Sequence, residues 1–225
     1  MKVTQISEHI WKCSIWIVIP ISVWIVKSDR GLTLVDAGIP WMARGVLKQM
    51  KALNLPLERI VLTHGHSDHT GSIKKILDVH QVPVYAHELE LPYMEGELPY
   101  PGRKKAQMSV EPGIAQPLDM QSIGGLVPYL TPGHSPGHVA FYHEQDQVLL
   151  AGDLFTSKRG QLQQPMAMFT ADMEQAVGSG AIVAQLKPKL VSICHGGEVQ
   201  LPHQQYEAYK SRWMDSQTGQ SNVHS

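Results

Sequence analysis

The stretch LTHGHSDHTG at 62–71 constrains this chain most, because His64, His66, Asp68 and His69 fall within six positions directly after an apolar run. Histidine supplies 12 of the 225 residues, so four such fixed positions arise by chance in about 10⁻³ of comparable chains. A chemical role is therefore favoured over an incidental polar loop. The spacing rules out a helical HExxH site, which needs two histidines four apart on one face. Here they are two apart, with Gly65 between them. Glycine suits a loop in which two imidazoles converge on one ion from a tight backbone. Asp68 and His69 then face elsewhere along the loop, toward a second ion. Mixed His and Asp donors suit Zn²⁺, Mn²⁺, iron or cobalt and disfavour Mg²⁺ and Ca²⁺.

The flanking patterns are those of an α/β chain. β-Branched and aromatic residues dominate 10–26, and Pro20 divides that run. GLTLVDAG (31–38) reads as a buried strand ending at Asp36. Met42, Val46, Leu47, Met50 and Leu53 recur at spacings of three or four, which predicts an amphipathic helix over 41–53. ERIVLT is a strand leading into the histidine loop, and Ser72 is placed to cap a helix reaching about Val79. VPVYA is the next strand. Strands return at 125–131, 139–143 and 147–152, a helix is expected over 172–186, and KLVSICH is a last strand before a helix at 203–214. The whole of 1–215 reads as one domain, with 216–225 a frayed tail. Two sheets covered by helices is the economical layering.

Three further polar groups follow apolar strands: His134 in TPGHSPGH (131–138), Asp153 in LLAGDLF (149–155) and His195 in VSICHGGE (192–199). Singly, each is an ordinary surface turn. Together with the 62–71 loop they are better explained by convergence on one site.

With His64-x-His66-x-Asp68-His69, His134, Asp153 and His195 in this order, and with LVDAG, TPGHSPGH and AGDLF, the chain resembles the metallo-β-lactamase-fold hydrolase superfamily over roughly 20–200. The resemblance implies a four-layer αβ/βα sandwich, α+β in composition, of two mixed β-sheets flanked by helices. It implies that His64, His66 and His134 hold one divalent ion, that Asp68, His69 and His195 hold another, and that Asp153 bridges them. Asp36 would orient a ligand from behind, with His138 in a supporting place. Two zinc ions are the expected cofactor, with manganese or iron as alternatives. A hydroxide shared by the two ions would attack a carbonyl carbon, and Asp68 would carry the proton to the leaving group.

The expected activity is hydrolysis of a small carboxylic derivative: a thioester, lactone or ester, as in glyoxalase II-like and lactonase-like members. The alternative is a mononuclear iron oxidoreductase of the persulfide dioxygenase type, which needs only part of the ligand set. Only about thirty residues follow His195, too few for the helical domain that binds glutathione in glyoxalase II. A net charge of −1 argues against nucleic-acid and membrane partners, leaving a small-molecule substrate. Arg103-Lys104-Lys105 reads as a solvated loop. Cys13 and Cys194 lack metal or disulfide spacing and read as buried thiols. The N-terminus lacks the pattern of a secretion signal, so a cytoplasmic protein is expected. The Trp- and Ile-rich N-terminal strands are either core or a homodimer surface. The segment 91–117 is long and proline-rich, and is expected to cover the site and shape its pocket. The substrate-contacting candidates are Tyr93, Met94, Tyr100 and Arg103, with Met166, Met168 and Phe169 from the second irregular stretch. His9, His80, His87, His143, His203 and His224 have no partner spacing.

Overall fold

The computed structural model describes residues 1–221, with side chains described through Asp215. The chain opens with β1 (Lys2–Gln5), β2 (Ile10–Trp16) and β3 (Pro20–Lys27). Pro20 thus heads a strand, opposite Trp16 at the hairpin end, where its missing N–H breaks no ladder. Next come β4 (Leu32–Val35), α1 (Ala43–Leu53), β5 (Leu57–Val61), α2 (Ser67–Thr70), α3 (Ile73–Leu77), β6 (Val84–Ala86), α4 (Leu91–Met94) and β7 (Ala115–Pro117). The strands β1 to β7 form one sheet in chain order, antiparallel up to β4 and parallel beyond it.

The second half supplies β8 (Leu126–Leu130), β9 (Val139–His143), β10 (Val148–Leu150), the hairpin β11 (Thr156–Lys158) and β12 (Gln161–Gln163), α5 (Met173–Ser179), α6 (Ile182–Leu186), β13 (Leu190–Ser192), β14 (Val199–Gln200) and α7 (Tyr206–Ser221). Its main sheet runs β14-β13-β10-β9-β8, with β10 and β13 parallel and the other pairs antiparallel. Both sheets are therefore mixed, as the sandwich expectation requires.

Side-chain alternation along β9 shows how the layers stack. Val139 and Phe141 join the core shared with β2–β5, whereas Ala140 and Tyr142 join the cluster formed with α5, α6 and α7. On the other side, Val46 and Met50 of α1 and Ile73 and Ile76 of α3 cover the first sheet. Two buried polar links tie the sheets together. Trp24 Nε1–H donates to Ser192 Oγ at 2.8 Å, and Lys12 Nζ donates to the Ile193 and Gly196 carbonyls at 2.8 and 2.7 Å.

Some expected boundaries shift. The single helix expected over 172–186 breaks into α5 and α6 around Gly178-Ser179-Gly180, where two glycines weaken the helix and the Phe155 ring packs against Gly180. Ser72 precedes α3 but does not cap it, because its hydroxyl donates to the Ile39 carbonyl at 2.6 Å, and α3 ends at Leu77. The last helix starts at Tyr206, after a 3₁₀ turn begun by Pro202, and runs to Ser221. The expected tail thus falls partly on α7, and its end, 222–225 with His224, lies outside the described residues. No helix among the described residues is long and apolar enough to cross a membrane.

Candidate metal centre

Asp36, His64, Asp153 and His195 follow β4, β5, β10 and β13, the two parallel pairs, so they gather where the carboxyl ends of those strands open. Asp36 itself sits at φ +59°, in the left-handed region that Asp tolerates better than most residues. Its Oδ1 accepts the Thr63 N–H at 2.8 Å, and its Oδ2 accepts the Thr63 hydroxyl and His69 Nδ1–H, each at 2.8 Å. Fully buried Asp36 thereby fixes the tautomer of His69 and aims its Nε2 into the centre. On the opposite wall, His195 Nδ1–H donates to the Pro20 carbonyl at 2.8 Å and aims its own Nε2 inward.

The seven ligand-type side chains meet in two groups. His64 Nε2 and His134 Nε2 lie 2.9 and 3.1 Å from His66 Nδ1. In the other group, Asp68 Oδ2 is 3.2 Å from His195 Nε2 and 3.7 Å from His69 Nε2. Asp153 stands between them. Its Oδ2 is 3.4 Å from His134 Nε2 and 3.1 Å from His195 Nε2, while its Oδ1 is 3.4 Å from His69 Nε2. Cys194, expected as a plain buried thiol, also brings its sulfur close to His69, Asp153 and His195. That sulfur donates to the Ser22 carbonyl at 3.4 Å, from a fully buried position.

These residues fit bound metal on two counts. His69 Nε2 and Asp153 Oδ1 are buried and, apart from their own 3.4 Å contact, have no hydrogen-bond partner, an expensive state for two strong polar atoms unless a cation satisfies both. The separations also match. Four ligands about 2.0–2.1 Å from one tetrahedral ion stand about 3.3 Å apart, and the contacts within the two groups and to Asp153 run from 2.9 to 3.7 Å.

The charges agree. Burial pushes His64 and His134 well below the usual histidine range and lowers His66, so all three offer neutral lone pairs. Burial opposes charge on His69 and His195 too. There the acidic groups prevail: the Cys194 thiol, Asp36, Asp153 and Asp68 raise His69, and Asp153 leads in raising His195. Burial likewise opposes ionisation of Asp68, but His69 and His195 outweigh it and bring its carboxyl down to about 2. The paired carboxylates thus demand positive charge, which protons or divalent cations can supply.

His138 lies behind the centre, fully buried. Its Nε2 accepts the Asp153 N–H at 3.1 Å and its Nδ1 pairs with the Thr131 hydroxyl at 2.9 Å. Gly152 is required beside it, because a Cβ there would come within 2.8 Å of both His138 Nε2 and Thr63 Cβ. At Gly65 the constraint is space rather than a positive φ: a Cβ would come within 2.5 Å of Met94 Cβ and Tyr100 Oη.

Nothing in the sequence marks Glu90, yet its buried carboxylate clamps the site. Its Oε1 accepts the Ser135 hydroxyl at 2.6 Å and the Gly137 N–H at 2.8 Å. Its Oε2 accepts the Gly65 N–H at 3.0 Å and the Tyr100 hydroxyl at 2.7 Å. One side chain therefore joins the loop of His64 and His66 to the loop of His134 and His138. Lys12 does similar work near His195, since it grips the carbonyls on either side and pairs with Glu198 at 2.9 Å.

The centre opens into a cavity of about 920 Å³ lined by His66, Asp68, Asp153 and His195 on one side. Of the expected substrate-contacting residues, Tyr100, Arg103, Met166 and Phe169 line it. Tyr93 stands behind, its ring stacked on Tyr100 at 5.0 Å, and Met94 is buried. Met168 is exposed and contributes its carbonyl, which accepts from Arg103 at 3.2 Å. Another cavity, of about 860 Å³ beside α3, is lined by none of the seven ligand-type residues. Two histidines expected to be unpartnered, His9 and His143, group with Asp146 instead.

Residues 16–195 match the family model described as Metallo-beta-lactamase superfamily. The chain belongs to that superfamily. Within it, the chain is 38% identical over 221 residues to the probable metallo-hydrolase YybB of Bacillus subtilis (strain 168), covering 96% of this chain and 100% of that protein. It is 30% identical over 141 residues to a hydroxyacylglutathione hydrolase of Methylobacillus flagellatus, a match spanning 62% of this chain and 50% of that relative. Among solved structures, a metallo-beta-lactamase from Pontibacter korlensis superposes with a TM-score of 0.74 at 24% identity, covering 93% of this chain and 97% of the other. The di-iron-bound form of TTHA1623 superposes with a TM-score of 0.67 at 26% identity, covering 84% and 94%.

Proposed function

We propose that this superfamily member is a metal-dependent hydrolase of a small carboxylic derivative, a thioester, lactone or ester, working on two divalent ions. The observation that carries the reading is the pair of orphaned buried atoms, His69 Nε2 and Asp153 Oδ1, inside a complete set of seven donors at the head of an open cavity. His64, His66 and His134 would hold one ion, and Asp68, His69 and His195 the other, with Asp153 shared. Nitrogen and carboxylate donors at these separations suit zinc; the similar TTHA1623 structure carries iron. Bound metal supplies a water acidic enough to ionise near neutral pH and a polarised carbonyl.

The protein's own groups do the rest. Asp153, buried and hydrogen-bonded through its N–H to His138, keeps the two donor groups in register. Asp68 is the more exposed of the two carboxylates, at 31% against 6% for Asp153. It faces the cavity, where it can take a proton from the attacking water and pass it to the departing thiol or alcohol. Tyr100 stands beside His66, ring to ring at 4.6 Å, and bounds the space in which a carbonyl can approach. Ile19, Met166 and Phe169 give that space apolar walls that exclude bulk water.

The test is metal analysis of protein purified without added metal, joined to an activity screen across thioesters, lactones, esters, phosphodiesters and β-lactams. About two zinc or manganese ions per chain and turnover of a carboxylic derivative are expected. His66→Ala should lower metal content and activity together. One iron per chain with oxygen consumption would sink the reading, as would full activity with two ions retained in His66→Ala.

A further inference from the structure

The run Arg103-Lys104-Lys105, a solvated loop on sequence grounds, lies on the wall of the 920 Å³ cavity that faces His66, Asp68, Asp153 and His195. The segment is pinned at both ends. The Tyr100 hydroxyl donates to Glu90 at 2.7 Å, and the Ser109 hydroxyl donates to the Gly65 carbonyl at 2.6 Å. Both anchors lead to the backbone between His64 and His66. Arg103 also reaches across the opening, donating to the Met168 carbonyl, with its guanidinium 5.4 Å from the centre of the Phe169 ring. Among the described residues, Lys104 and Lys105 make no ion pair or side-chain hydrogen bond, and both are exposed.

The charge balance of the cavity follows. Its two acidic residues, Asp68 and Asp153, are engaged by His69, His134 and His195. Beyond those two, the wall offers no acidic counterpart to its three cations, Arg103, Lys104 and Lys105, in a chain whose net charge is −1. A held cluster of this kind, beside Met108 and Phe169, suits an arm with an apolar stem and an anionic end.

We propose that Arg103, Lys104 and Lys105 form an anion subsite, and that the substrate is a thioester or ester carrying a carboxylate or phosphate on an arm leading away from the scissile carbonyl. This deepens the hydrolase reading and rests on it. The experiment uses the zinc-loaded protein and a set of four thioethers, which cannot be hydrolysed. One is neutral, one carries a carboxylate and one a phosphate on the thiol side, and one carries a carboxylate on the acyl side. Calorimetry at low salt should show at least one anionic member binding about tenfold more tightly than the neutral one. The ranking among the anionic members identifies the carboxylate or the phosphate as the group recognised. The preference should shrink toward unity in 0.5 M salt and vanish or reverse in Lys104→Glu/Lys105→Glu, whose changes lie on exposed positions. Equal binding of all four thioethers, or a preference unchanged in the double variant, overturns the subsite. The matching thioesters are assayed in parallel. Failure to turn over any of them counts against the hydrolase reading, while the thioether ranking still decides the subsite.

Discussion

Glu90→Gln is the most informative single change, because Glu90 touches no donor atom of the centre yet holds both histidine loops. An ionised carboxylate is acceptor-only, and all four contacts of Glu90 are donors. Glutamine keeps the shape but turns one oxygen into an NH₂ group. The Ser135 or Tyr100 hydroxyl can rotate to accept from that NH₂. The Gly137 or Gly65 N–H cannot, so in either orientation one buried backbone donor is left facing another donor. An unsatisfied buried N–H costs about 1–3 kcal/mol, and loss of charge weakens the remaining bonds. A destabilisation of about 3 kcal/mol is expected in urea unfolding of chelator-stripped protein. Zinc affinity at the three-imidazole group should also fall about 10–100-fold, the usual range for groups that orient ligands. Glu90→Ala would leave all four donors stranded and a cavity besides, so it is expected not to fold. If Glu90→Gln unfolds within about 0.5 kcal/mol of the parent protein and binds zinc equally well, the clamp is refuted.

Asp36→Asn should weaken metal binding about tenfold or more, with little change in secondary structure. The amide can present an NH₂ where His69 Nδ1–H now donates, which disturbs the tautomer that aims Nε2 inward; chelator competition reads the affinity, and an unchanged value contradicts the assignment. Acid should destabilise the protein partly through a cluster remote from the metal centre. Burial lowers the buried His143 below the usual histidine value, against the pull of Asp146 and with a contribution from His9, and its Nδ1 accepts the Asp146 N–H at 3.2 Å. A histidine lowered on folding contributes stability above its unfolded pKa of about 6.5 and loses it as pH falls below that value, by at most about 1.4 kcal/mol per pH unit. Asp146 is also lowered, so its contribution is lost only at more acid pH, below the usual carboxylate value. Between pH 7 and 5, His143→Gln should therefore lose about 1 kcal/mol less than the parent protein; parallel curves would show that His143 does not titrate on unfolding.

Much of the architecture was written in local pattern. Strand alternation, the helix over 41–53 and the position of polar residues directly after apolar strands depend on neighbours close in the chain, so one sequence suffices to read them. Helix ends were less legible. The break at Gly178-Ser179-Gly180 depends on how Phe155 packs there, and Ser72 gave up a cap to reach the Ile39 carbonyl. The residue types at the centre were likewise legible, because histidine and aspartate are rare enough in such turns for their clustering to carry information.

What the sequence by itself determined is the layering of two sheets and the set of polar residues that gather at their strand ends. Only the tertiary structure decided which donors share a group, because contacts such as His195 with Pro20, 175 positions apart, leave no periodic trace. The same holds for Glu90, which looks like any surface glutamate until four donors from three separate loops close around it. It holds too for Arg103-Lys104-Lys105, whose charge reads as solvent-facing until the anchors at Tyr100 and Ser109 bring it over the centre. Hydrophobic periodicity is a property of the chain, whereas hydrogen-bond satisfaction and charge balance are properties of the packed site.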